Sequence, residues 1–206
     1  MSTYKDYGWE DGATDAHSYL YPTLYAMLEA YKGKCILDVG SGNGFIATRL
    51  LADGFNVYGI DASESGVTIA RRRYPDRFFV QDVSSDNLPE ALSKVHFDVV
   101  ISTEVVEHLY APRSYMQLIR NVLPDGGIVI ISTPYHGYLK NLVMALTNKM
   151  DSHFTALWDG GHIKFWSIRT LTNLLNEFGF EVQKFKGSGR VPFLWKSMFI
   201  SAKLSK

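Results

Sequence analysis

The chain has 206 residues, enough for one domain with a substantial core, and its 21 lysines and arginines balance 21 aspartates and glutamates. That balance excludes the overall basic field by which a protein holds nucleic acid or an anionic membrane through net charge. A single cysteine, Cys35, excludes an intrachain disulfide, and no apolar run approaches the ~20 residues of a membrane-spanning helix. Met1 to Gly12 is polar and aromatic and lacks the basic start and apolar stretch of a signal peptide, so a cytoplasmic protein is expected. In chain order, Tyr4, Tyr7, Trp9, Tyr19, Tyr21 and Tyr25 come first. Leu20, Leu24, Met27 and Leu28 recur at helical spacing and predict an amphipathic helix from about Ala16 to Ala30, stopped by Gly33. Residues 1–34 are therefore expected as a helical cap. Its aromatics either pack on the core and sheet edge or, in the sharper alternative, form a lid with Trp9, His17 or Tyr21 touching a ligand.

Cys35 to Val39 reads as a short strand, and Phe45 to Leu51 begins a helical pattern. Between them runs Asp38-Val39-Gly40-Ser41-Gly42-Asn43-Gly44, where glycine lets the backbone bend sharply and approach a ligand. The first N–H groups of a helix have no partners of their own, so such a turn can cradle an anionic or polar group. Spacing then discriminates between ligands. A dinucleotide site has G-x-G-x-x-G, but the third glycine position here is Phe45, and Asp38 beside the turn would repel a pyrophosphate and welcome a cation.

Asn56 to Asp61 is a second strand ending in an acid, placed to accept hydrogen bonds from ribose hydroxyls in either a nicotinamide or an adenosylmethionine site. Ser63 can cap a helix over Ser65 to Tyr74. Its Arg71-Arg72-Arg73 end reads as a solvated helix terminus favoured by the dipole, with a nucleic-acid patch as the alternative. Phe78 to Asp82 and Phe97 to Ser102 are further strands, the latter apolar enough to be central and parallel. Thr103-Glu104-Val105-Val106-Glu107-His108-Leu109 follows, then a helix from Pro112 to about Val122 and a strand from Ile128 to Pro134. Tyr135 to Trp166 interrupts the rhythm, with Leu139, Leu142, Val143 and Leu146 on one helical face. It is expected as an insertion over the acceptor site, with a helix packed on the sheet edge as the alternative. Leu171, Leu174, Leu175 and Phe178 mark the last helix, and Phe180 to Lys186 and Leu194 to Lys203 a closing antiparallel hairpin. The expected fold class is α/β: a single doubly wound, mostly parallel, seven-stranded Rossmann-like sheet whose acids Asp38, Asp61, Asp82 and Glu104 gather at the carboxyl ends of the strands.

With its acid followed by G-x-G-x-G, the chain resembles the class I S-adenosylmethionine-dependent methyltransferases, whose ligand carries an ammonium and a sulfonium and no phosphate. Gly59-Ile60-Asp61, Glu104-Val105-Val106-Glu107-His108-Leu109 and Ser132-Thr133-Pro134 narrow the resemblance to the ubiquinone-biosynthesis O-methyltransferase branch, which methylates catechol-type hydroxyls on polyprenylated rings. The resemblance implies a cofactor site of Asp38, Gly40, Ser41, Gly42, Asn43, Gly44, Phe45, Asp61, Ala62, Asp82, Val83, Thr103, Glu104 and Val105. Within it, Asp82 would bind the adenine amino group, with the Val83 backbone beside the ring. The expected cofactor is S-adenosylmethionine, leaving as S-adenosylhomocysteine.

A second resemblance is to the small-RNA 3′-terminal 2′-O-methyltransferases, whose Glu-x-x-Glu-His motif and later histidine match Glu104, Glu107, His108 and His162. Positions i, i+3 and i+4 share a helix face, so these residues could hold a divalent metal; alternatively Glu104 holds the cofactor's methionyl end and Glu107 and His108 make cap or substrate contacts. His108, His136 and His162 are the alternative general bases. The sequence thus supports methyl transfer to a hydroxyl oxygen of a small or lipid-linked acceptor, a catechol or vicinal diol. The rival readings are a catalytically idle cofactor-binding module, a nicotinamide-dependent oxidoreductase, and an RNA-end methyltransferase, the last disfavoured by the neutral charge. Acceptor identity and oligomeric state are not legible in the sequence.

Overall fold

A computed structural model describes residues 9–85, 87–154 and 156–205; the aromatic positions Tyr4 and Tyr7 lie outside them. Seven strands form one sheet: β1 (Cys35–Val39), β2 (Asn56–Asp61), β3 (Phe78–Val80), β4 (Val99–Thr103), β5 (Ile128–Pro134), β6 (Phe180–Ser188) and β7 (Ser197–Leu204). Their spatial order is β3-β2-β1-β4-β5-β7-β6, parallel throughout except that β7 runs antiparallel between β5 and β6. The order reverses between β1 and β4, so the carboxyl ends of these two strands diverge into the crevice where such sheets bind ligands.

Among the described residues seven α-helices accompany the sheet: α1 (His17–Leu28), α2 (Phe45–Ala52), α3 (Glu64–Arg71), α4 (Pro112–Val122), α5 (Tyr138–Leu146), α6 (Met150–Phe154) and α7 (Ile168–Glu177). β4 and β5 are buried on both faces, which is why they read as nearly continuous apolar runs. Successive residues serve opposite cores. Ile36, Val99, Ile101 and Phe199 pack with α1, α2 and α3, while Leu37, Val100 and Ile200 pack with α4 and α7.

Local chemistry sets several boundaries. Ser63 Oγ accepts from Gly66 N at 3.0 Å and starts α3, and Ser167 with Thr170 forms a reciprocal capping box that starts α7 ahead of its first buried leucine. Pro112 occupies the first turn of α4, where its missing N–H costs nothing. Several boundaries differ from expectation: α3 ends at Arg71 rather than Tyr74, β4 spans Val99–Thr103 rather than Phe97–Ser102, and β6 runs on to Ser188. β3 ends at Val80, so Asp82 lies in a turn, and β7 begins at Ser197, after Leu194. In α5 the apolar face of Leu139, Leu142, Val143 and Leu146 is exposed, whereas Lys140 and Met144 are buried. The Lys140 ammonium donates to Lys196 O at 3.3 Å, which ties that face of the helix to the segment before β7.

Candidate functional site

The glycine turn joins β1 to α2 with Gly40, Gly42 and Gly44 at φ of 81°, 53° and 73°, a region that L side chains rarely adopt. Close approach adds a second requirement: a Cβ on Gly40 would stand 2.4 Å from Val105 Cγ2, and one on Gly42 2.6 Å from Trp9 Cζ2. The turn's amides are committed to the protein. Gly40 N and Ser41 N both donate to Ile60 O, at 2.8 and 3.0 Å, Gly42 N donates to Asp61 Oδ2 at 2.7 Å, and Phe45 N donates to Asn43 Oδ1 at 3.1 Å. Four amides of the expected anion cradle are thus taken up within the protein, three by β2 and one by Asn43.

What faces the crevice is carboxylate and hydroxyl. Asp38 is 1% exposed, and its Oδ1, like Ser41 Oγ, is buried without a hydrogen-bond partner. Burial and the neighbouring Asp61 charge push the Asp38 carboxyl up to about 8. An orphaned acid of this kind fits a cationic ligand group, which would restore its ordinary ionisation. Asp61 closes β2, its Oδ1 accepting from Ser63 N at 2.8 Å while Oδ2 fixes Gly42, so the acid expected at the ribose also braces the turn. Ala62 follows it, half-buried. Asp82 accepts from Ser84 N and Ser84 Oγ beside buried Val83.

The N-terminal segment lies over this turn. The Trp9 ring covers Gly42 and Gly66, Asn43 Nδ2 donates to Glu10 O and Gly12 O, both at 2.9 Å, and His17 stacks on Phe45 with ring centroids 4.5 Å apart. Tyr21, by contrast, hydrogen-bonds Asp53 and lies against Arg49 at the opposite end of α2, away from the turn.

The acidic-histidine stretch after β4 is a turn, not the expected helix. Glu104 takes a left-handed backbone, φ 54°, and its carboxylate accepts from Ser132 Oγ at 2.8 Å and Ser197 Oγ at 3.0 Å. It therefore leaves the expected four-residue group. The other three meet: one ligand atom each from Glu107, His108 and His162 lies within 4.8 Å of the others. Backbone bonds from Ile163 N and Lys164 N to Glu107 O, both 3.0 Å, together with Trp166 Nε1 to Val106 O, carry His162 there across 55 residues of chain. Glu107 is 1% exposed; Oε2 accepts from Thr133 Oγ1 at 2.9 Å and Oε1 has no partner. Burial and the Glu104 charge raise the Glu107 carboxyl, while burial and its histidine neighbours depress His162 to about 4. His136 forms a separate box with His153, Phe154 and Phe165, and burial lowers it to about 4 as well. Thr103 and Val105 frame the turn, half-buried. Sequence reasoning missed Thr133, Ser197 and Lys140 as site neighbours; for Thr133 the signal was its position at the carboxyl end of β5, the neighbour of β4.

A methyltransferase-domain family matches residues 15–184. The ubiquinone biosynthesis O-methyltransferase of Roseobacter denitrificans is 32% identical over 173 residues, 81% of this chain and 68% of that protein. The chain belongs to the S-adenosylmethionine-dependent methyltransferase family. The corresponding protein of Rickettsia canadensis is 31% identical over 160 residues, 74% of this chain and 64% of that one, so this methyltransferase spans about two thirds of the length of such relatives. Among solved structures, an S-adenosylmethionine-dependent methyltransferase from Mesorhizobium loti superposes with a TM-score of 0.68 at 22% identity, over 94% of this chain and 99% of that one. Magnesium protoporphyrin IX methyltransferase from Synechocystis, with bound S-adenosylhomocysteine, gives 0.67 at 19% identity, over 90% and 82%. These likenesses establish the methyltransferase fold. Among the described residues no helix is long and apolar enough to cross a membrane.

Proposed function

We propose that this methyltransferase acts on a hydroxyl oxygen of a small or lipid-linked acceptor, a catechol or vicinal diol, bound beyond the ends of β4 and β5. The convergence of Glu107, His108 and His162 carries this reading, and the names of the curated relatives support oxygen as the acceptor atom. The sulfonium supplies an already activated methyl group, so the protein's task is to align the acceptor and remove its proton. Asp38 and Asp61 hold the cofactor's cationic end and ribose, and the strap from Trp9 to His17 closes over the glycine turn.

The three converging residues also fit a divalent cation. His108 Nδ1 stands 2.9 Å from Gly160 O, so a neutral ring donates there and carries its lone pair on Nε2. His162 stays neutral at physiological pH, and Glu107 has a buried oxygen without a partner next to a second carboxylate. A cation held by Glu107, His108 and His162 would lower the pKa of a bound hydroxyl and fix two adjacent oxygens. Without one, His136, His108 or His162, each with its pKa lowered by burial, accepts the proton.

A screen with methyl-labelled S-adenosylmethionine over catechols, sugars, polyprenylated rings and RNA ends tests the reading. Expected is turnover on a hydroxylated acceptor that falls at least about 100-fold in Glu107→Gln or after chelation, with S-adenosylhomocysteine binding unchanged. Full-rate turnover after chelation rejects the cation and leaves a histidine base. Intact cofactor binding with no turnover on any acceptor indicates an idle module instead.

A further inference from the structure

Beside the acceptor region lies a cavity of about 420 Å³ lined by Lys140, Lys149 and Arg190 together with Val143, Met144, Val191 and Leu194. We propose that this cavity binds an anionic amphiphile: a phosphate or carboxylate group held by Lys140, Arg190 and Lys149, with an apolar chain over Val143, Met144, Val191 and Leu194. The inference rests on the acceptor placement above and names a substrate class for it, an acceptor with an acidic group next to its apolar portion.

Lys140 is the decisive residue. It is 5% exposed although it carries an ammonium, and none of the ion pairs among the described residues involves it, Lys149 or Arg190. A buried ammonium with no carboxylate in ion-pair contact is costly, and Glu104, the acid that acts on it, already accepts from Ser132 and Ser197. Of its three N–H donors one is directed at Lys196 O, at 3.3 Å, leaving donor capacity for a ligand. Burial and the nearby Arg190 charge lower its pKa to about 8, outweighing the attraction of the Glu104 carboxylate. The apolar half follows from the lining itself, where Val143 of α5 and Val191 are both exposed and Met144 and Leu194 complete the wall. The cavity is on the reacting side of the molecule, since Lys140 donates to Lys196 O, next to the Ser197 whose hydroxyl donates to Glu104.

Calorimetric titration of octyl phosphate at pH 7, into protein saturated with S-adenosylhomocysteine, tests the proposal. Binding is expected to weaken about tenfold or more in Lys140→Met, which keeps most of the buried stem, and several-fold in the exposed-site variant Arg190→Gln, with cofactor affinity unchanged. Octyl glucoside, with no charge, is expected not to bind. Octyl phosphate is also expected to raise KM and spare kcat for any acceptor found in the labelled screen. Equal affinity for inorganic phosphate would overturn the apolar half. Capture by phosphatidylglycerol vesicles without octyl phosphate binding would replace the substrate site with a membrane surface, and unaltered binding in both variants would overturn the proposal outright. Failure of S-adenosylhomocysteine to bind would reject the cofactor reading instead, and octyl phosphate would still report on the cavity.

Discussion

At the scale of single residues the governing quantity is the cost of burying Asp38. Its pKa is raised in the folded chain from near 4 to about 8, so the stability associated with it is full below pH 4 and is lost as the pH rises through 8. A cationic ligand reverses that by favouring the ionised form, and S-adenosylmethionine is expected to bind more tightly as the pH rises from 6 to 9. Asp38→Asn removes both effects. The ligand-free variant should melt higher than the native protein at pH 8, by about 2–4 °C for each kcal/mol recovered. It should also lose about 1.5–3 kcal/mol of S-adenosylmethionine affinity together with the pH dependence. Scanning calorimetry and titration at three pH values check this, and a native-like pH slope in the variant would assign the titration elsewhere.

At the scale of elements the N-terminal segment is the informative case. It has no strand to join, and its attachment to the glycine turn runs through Asn43, whose Nδ2 reaches Glu10 O and Gly12 O. Trp9 on Gly42 and His17 on Phe45 complete the contact. Asn43→Ala removes both hydrogen bonds and the Asn43 Oδ1 acceptor for Phe45 N, at a cost of about 1–2 kcal/mol. Hydrogen exchange at residues 10–16 should accelerate well before the sheet opens. Unchanged exchange there would mean that the aromatic contacts alone hold the strap.

At the scale of the whole molecule, the sheet order decides where chemistry can occur. β7 lies between β5 and β6 with Phe199 and Ile200 fully buried in opposite cores, so one strand ties the two layers together. Phe199→Ala should cost about 3–5 kcal/mol, read as a lowered denaturation midpoint with an unchanged slope. A loss below 1 kcal/mol would show that the α1–α2–α3 layer repacks around the gap.

The sequence by itself determined the α/β class, the strand that carries the glycine turn, Asp38 and Asp61 at the ends of β1 and β2, and the need for glycine at that turn. Each follows from local periodicity, from backbone conformation, or from a spacing that only neighbouring residues can satisfy. Only the tertiary structure decided the rest. Helical spacing placed Glu104, Glu107 and His108 on one face, yet a left-handed Glu104 turns its carboxylate to Ser132 and Ser197, partners 28 and 93 residues away. The same limit hid the burial of Lys140, because α5 reads as an apolar face, and only the fold brings its ammonium to Lys196 O just before β7. Periodicity reports which residues share a side; contacts across the fold decide where that side points.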